Sequence, residues 1–110
     1  MNKKIKAIMQ KPGCAPEIIG IENELEALQK AVGGYIQAVP MGIGKVAVIC
    51  DEEGRLKRKP FNCRVGRHVD FVGTILAVGV DEDEFTDIPI GLETWKCYLW
   101  LSKYYPEVLI

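Results

Sequence analysis

Near its N-terminus this chain changes hydrophobic period, and that change limits the folds open to it. Leu25, Leu28 and Val32 recur at helical spacing while Glu24, Glu26, Gln29 and Lys30 fall elsewhere, which is the pattern of an amphipathic helix. On either side the apolar residues come in short runs rich in β-branched side chains, at residues 4–9, 17–20, 35–40, 45–50 and 71–80. Runs of that length bounded by turn residues read as strands. Strands joined by short turns pair antiparallel, so one helix set among them predicts an α+β arrangement.

The helix carries its own end signals. Asn23 suits the N-cap, Glu26 stands at N3 as in a capping box, and the early glutamates favour the positive end of the helix dipole. Gly33 and Gly34 stop it, because glycine takes the left-handed conformation of a C-cap without a Cβ clash. Leu25, Leu28 and Val32 are expected to face inward, with Val46, Val48, Ile75 and Val78 in the sheet. Leu92, Trp95, Leu99 and Ser102, with Tyr98, Leu101 and Tyr105 beside them, fit a final helix that Pro106 ends. With 110 residues there is room for one domain. The expected fold is a single α+β domain over 1–110: a mainly antiparallel sheet packed against the N-terminal helix, with a C-terminal helix.

Turn chemistry fills in the connections. Lys11-Pro12-Gly13 breaks the first strand, and residues 41–44 join two strands as a hairpin. Gly42-Ile43-Gly44-Lys45 lacks the spacing and following helix of a phosphate loop. Gly73 and Gly79 mark a bend, a bulge or a close backbone approach. Asp81, Glu82, Asp83, Glu84 and Asp87 lack the glycine and terminal glutamate of a calcium loop and read as a solvated turn.

Charge excludes whole classes of partner. Fourteen Lys plus Arg against fifteen Asp plus Glu leave a net charge of −1, so no global field draws the chain onto nucleic acid or a membrane. No apolar run approaches the roughly 18 residues of a membrane span. The stretch after Met1-Asn2-Lys3-Lys4 is broken by Lys6 and stopped by Pro12, too short for a signal peptide. The expected compartment is the cytoplasm, where Cys14, Cys50, Cys63 and Cys97 are reduced thiols. Cys50, Cys63 and His68 lack the tightly spaced ligand pairs of a zinc site, so neither metal nor cofactor is expected.

One segment stands out. Arg55, Lys57, Arg58, Lys59, Arg64 and Arg67 are six of the fourteen cations, and residues 55–68 contain no carboxylate and little apolar periodicity, which predicts an ordered loop. Such a density of charge repels itself unless an anion or neighbouring carboxylates neutralise it. Arginine's planar fork suits phosphate, and Phe61 and Asn62 add a stacking face and an amide of the kind that holds a base. The candidate ligand-binding residues are therefore Arg55, Lys57, Arg58, Lys59, Phe61, Asn62, Arg64 and Arg67, for an anionic nucleotide-type ligand. The alternative is a solvated loop balanced by Asp51, Glu52, Glu53 or the turn at 81–84. Cys63, His68 and Asp70 would make a nucleophile, base and orienter only if thiol met imidazole. No cysteine-protease or nucleophile-elbow signature surrounds them, so no catalytic residue and no enzymatic activity is expected.

A series of pieces resembles a known family: Lys11-Pro12-Gly13, Pro16-Glu17, the helix over 23–31, Val32-Gly33-Gly34-Tyr35-Ile36, then Val48 through Lys57, Pro60-Phe61-Asn62 with Arg64, and Asp70-Phe71-Val72-Gly73-Thr74. The family is one of small proteins of bacteria, plasmids and phages catalogued only as a domain of unknown function. Where its members tend to have Asn at the start of the acidic turn and a direct Asn-Arg pair, this chain has Asp51 and places Cys63 between Asn62 and Arg64. The resemblance implies a single α+β domain, association with mobile elements, and no established enzymatic activity.

Two functions from different classes follow as expectations. The first is a phage or plasmid accessory (counter-defence) protein that sequesters an anionic nucleotide-type ligand through the basic loop. The second is a protein-interaction factor that inhibits or redirects a host protein, through the aromatic C-terminal helix with Trp95, Tyr98, Trp100, Tyr104 and Tyr105 or through an unpaired sheet edge. The oligomeric state, a homo-oligomer included, stays open.

Overall fold

The computed structural model describes residues 4–42, 44–66 and 70–100. Strand β1 (Lys4–Gln10) turns back at residues 11–16 and pairs antiparallel with β2 (Glu17–Glu22), Lys4 opposite Glu22 and Ile8 opposite Ile18. Helix α1 (Leu25–Val32) follows, then the antiparallel hairpin of β3 (Ile36–Pro40) and β4 (Val46–Asp51). Strand β7 (Ile75–Asp81) inserts between β1 and β4 and continues through the acidic turn into β8 (Glu84–Thr86). These strands form one six-stranded sheet ordered β2-β1-β7-β4-β3, with β8 beside β7.

Both faces of that sheet are covered, which explains why β4 and the first five residues of β7 are buried throughout rather than alternating. On one face α1 lays Leu28 and Val32 over Ile5, Ala7, Ile49, Leu76 and Val78. On the other, Ile8, Val48, Ile75 and Ala77 meet Cys63, Val65, Phe71 and Trp95. The latter residues come from a second sheet, ordered β6-β5-β9, and from helix α2 (Leu92–Cys97). Its strands are β5 (Phe61–Val65), β6 (Asp70–Val72) and β9 (Leu99–Trp100). The result is the α+β domain that the periodicity predicts, with a mainly antiparallel sheet on α1, and a second sheet on the other face adds a third layer.

Several local expectations are corrected. Leu25 is 59% exposed: helical side chains lean towards the N-terminus, so that of the first residue overhangs the start of α1 instead of meeting the sheet. Asn23 is not the N-cap. Glu24 holds that position without a side-chain cap bond, and Asn23 Nδ2 donates instead to the Phe85 carbonyl at 3.0 Å. The segment 55–68 is not a loop throughout, since 61–65 form β5. The run 71–80 is split at Gly73 into strands of different sheets, while Gly79 packs against the Asp87 carbonyl.

The final helix stops at Cys97. Leu99 pairs with Val65 and the Tyr98 carbonyl accepts from Gly66 N–H at 2.8 Å, so the second sheet takes over the backbone that the helical period would have claimed. Trp95 is fully buried and Tyr98 packs on the same core, which withdraws both from an exposed aromatic face. Arg67, His68, Leu101, Ser102, Tyr104 and Tyr105 lie outside the described residues. Among the described residues no helix is long and apolar enough to cross a membrane.

Candidate functional site

The basic segment begins as a compact turn. After β4, Gly54 N–H donates to the Asp51 carbonyl, Lys57 N–H to Glu53, Arg58 N–H to Arg55 and Lys59 N–H to Gly54, all at 3.0 to 3.1 Å. Backbone bonds of that density hold a turn in one shape. At its base is Asp51, whose side chain is 1% exposed. Its Oδ2 receives Lys57 Nζ at 2.9 Å and Lys59 Nζ at 2.7 Å, and its Oδ1 accepts Glu53 N–H at 2.9 Å. Burial pushes this carboxyl up, yet the bonds from Lys59, Lys57 and Glu53 outweigh burial and hold it at about 2.

The same two lysines cap α1. Lys59 Nζ donates to the Val32 carbonyl at 2.7 Å and Lys57 Nζ to the Gly33 carbonyl at 3.1 Å, placing cations where the helix dipole is negative. Gly33 has φ 79, the left-handed C-cap the sequence predicts. Gly34 serves by its size: a Cβ there would sit 2.5 Å from Asp51 Oδ1 and 2.6 Å from Lys57 Nζ. Lys57 and Lys59 are thus turned into the fold, and the cations of 55–64 do not all converge on one point.

Arg55 and Arg58 face outward. Arg55 Nη2 donates to the Asp70 carbonyl at 2.6 Å, which fixes the guanidinium on the wall of a groove of about 210 Å³. Gln37, Glu52, Asp70 and Phe71 line the same groove. Arg58 is exposed, with φ 57, and its side chain makes no ion pair or hydrogen bond among the described residues. Arg64 lies opposite Asp70 across β5 and β6 and donates through Nε to Oδ1 at 3.1 Å.

Asn62 is built into a buried polar chain. Its Nδ2 donates to the Gln10 carbonyl at 2.7 Å and to the Gly73 carbonyl at 2.6 Å. Gln10 in turn donates to the Cys14 carbonyl at 2.7 Å and accepts from Trp95 Nε1 at 3.3 Å. Asn62 Oδ1 is buried and has no partner, a deficit of the kind that costs about 1–3 kcal/mol. Asn62 and the half-buried Phe61 share a cavity of about 420 Å³ with Gly13, Cys14 and Ala15.

Cys63 belongs to the core, where burial and then Asp70 push its thiol up to about 12. A neutral buried thiol is no nucleophile. Cys50 is also buried and raised, chiefly by burial. Charge density points to the basic segment, and Asp51 is one of the carboxylates expected to balance it, but the roles of Gln37 and Gln10 have no compositional signal: each is a single polar residue at a strand position that only the tertiary pairing turns towards the segment. A family model described as a domain of unknown function (DUF3846) matches residues 5–96. No curated protein and no solved structure matches the chain.

Proposed function

The chain belongs to the DUF3846 family, a domain of unknown function, and for this member we propose a non-enzymatic module that binds a small anionic, nucleotide-type ligand on the turn 52–60. Arg55 is the principal ligand-facing cation and Arg58 the outer one. The observation that carries this reading is the division of labour among the cations. Lys57 and Lys59 share the single carboxylate of Asp51 and hold the turn against α1, while Arg55 is fixed beside an open groove. A cation held in place before binding loses little entropy on meeting an anion. Sequestration of such a ligand suits an accessory protein of a phage or plasmid that counters host defence, the habit implied by the family resemblance.

Calorimetric titration with cyclic and linear nucleotides, at low and physiological salt, tests this. Arg55→Ala should weaken binding by about 1.5–3 kcal/mol, the range of a charge-assisted hydrogen bond, and the exposed Arg58→Ala by about 1 kcal/mol or less. Neither side chain is in the core, so the denaturation midpoint should hold steady. If no nucleotide binds the wild type better than the double variant, the reading fails.

One observation favours a protein partner instead. Leu56 is 82% and Tyr35 65% exposed, and Tyr35 accepts Glu52 N–H through its carbonyl at the foot of the same turn. Large side chains beside arginine are typical interface anchors. That reading expects a host protein to co-purify with the wild type and to be lost with Leu56→Asp, without any response to nucleotides.

A further inference from the structure

Helix α1 is too short for the sheet it lies on. Its eight residues span about 12 Å and the seven of β7 about 23 Å, so part of the sheet's helix-bearing face is left open. The open part is a groove of about 530 Å³ beside the first residues of β4, with Ala38, Val80 and Phe85 as apolar walls and the exposed Lys45, Glu82 and Asp83 around them. Neither carboxylate pairs with a cation among the described residues, and together they outnumber Lys45. Beyond the other end of β4 stands the opposite kind of surface. The turn 52–60 carries Leu56, 82% exposed, and Arg58, whose side chain has no partner among the described residues. An apolar side chain beside a free cation is the complement of an apolar groove edged with carboxylates.

We infer that the groove takes the turn of a second copy of this chain, Leu56 entering against Ala38, Val80 and Phe85 while Arg58 meets Glu82 and Asp83. The six residues of β4 hold the two surfaces about 20 Å apart, so a copy cannot fill its own groove. Each copy nevertheless brings one turn and one groove, and the contact joins unlike surfaces. Burial of Leu56 carries it. The exposed ion pairs add little energy but give it direction and make it weaken with salt. Arg55 takes no part, so the contact stands apart from the anion-binding reading.

Sedimentation velocity of the purified chain at rising concentration tests this. The wild type should gain mass with concentration at low salt and lose it again at high salt. Leu56→Asp removes the inserted side chain and keeps the groove. Ala38→Trp fills the groove from the exposed edge strand β3 and keeps the turn. Asp83→Lys reverses charge at an exposed turn position, so it tests the groove even where the tryptophan disturbs folding. Each variant alone should need a roughly tenfold or higher concentration to associate. Leu56→Asp mixed with Ala38→Trp should then restore a one-to-one complex, because the turn of the second still fits the groove of the first. A wild type that stays monomeric at every concentration would overturn the inference, as would association that survives both groove variants. So would a mixture no heavier than its parts, which would leave Leu56 to a different surface or a different partner.

Discussion

Asp51 is the residue on which the basic segment turns. Its carboxylate is surrounded by two ammonium groups and a backbone N–H, and the room it occupies against α1 exists because residue 34 has no side chain. A carboxyl held at about 2 when folded, against 3.8 as its ordinary value, binds protons more weakly in the folded state than in the unfolded one. The stability it contributes is therefore complete above about pH 4 and lost as pH falls towards 2. Asp51→Asn should lower stability near neutral pH by roughly 1.5–3 kcal/mol, and should flatten the dependence of the urea midpoint on pH between 4 and 2. An unchanged slope in the variant would show that other carboxylates set the acid limit. The sequence shows Asp51 beside a cluster of cations but not which of them it holds. Lys57 and Lys59 read the same as Arg55 and Arg58 along the chain. Only the turn separates those aimed back at β4 from those aimed outward.

At the scale of elements, α1 is short and rests on two side chains. Leu28 and Val32 are each 2% exposed, whereas Leu25 on the same predicted stripe is not covered. Leu28→Ala should cost about 2–5 kcal/mol, and Leu25→Ala within about 0.5 kcal/mol, a contrast that chemical denaturation of the pair measures directly. Comparable losses would mean that Leu25 is packed. The first four strands and α1 are legible because each is bounded by glycine, proline or a charged turn, the strands as short runs rich in β-branched residues and α1 by its helical spacing. The second sheet is not. In β5 the buried Cys63 and Val65 alternate with Arg64, and the charges before it hide a two-residue period in what composition marks as a loop. In α2 the spacing of Leu92, Trp95 and Leu99 fits a longer helix, but backbone pairing with Val65 captures Leu99 first. Local pattern yields to tertiary partners at both places.

Across the whole molecule, one polar chain ties the layers together. Trp95 of α2 donates to Gln10 of β1, and the Gln10 carbonyl receives Asn62 of β5, so both sheets and the second helix meet through three side chains. Trp95 is also the largest fully buried side chain among the described residues, which places packing and hydrogen bonding at the same point. Two consequences differ in size. Trp95→Phe keeps an aromatic ring but leaves Gln10 Oε1 without its donor, at a cost of about 1–3 kcal/mol. Trp95→Ala removes the ring as well and should cost about 3–5 kcal/mol. If the three layers form one cooperative unit, urea unfolding of either variant gives the same midpoint by far-UV circular dichroism, which follows α1 and the strands, and by reactivity of the Cys63 thiol, which follows the second sheet. Thiol exposure at lower urea than loss of circular dichroism would show that the second sheet and α2 detach from the six-stranded sheet on their own.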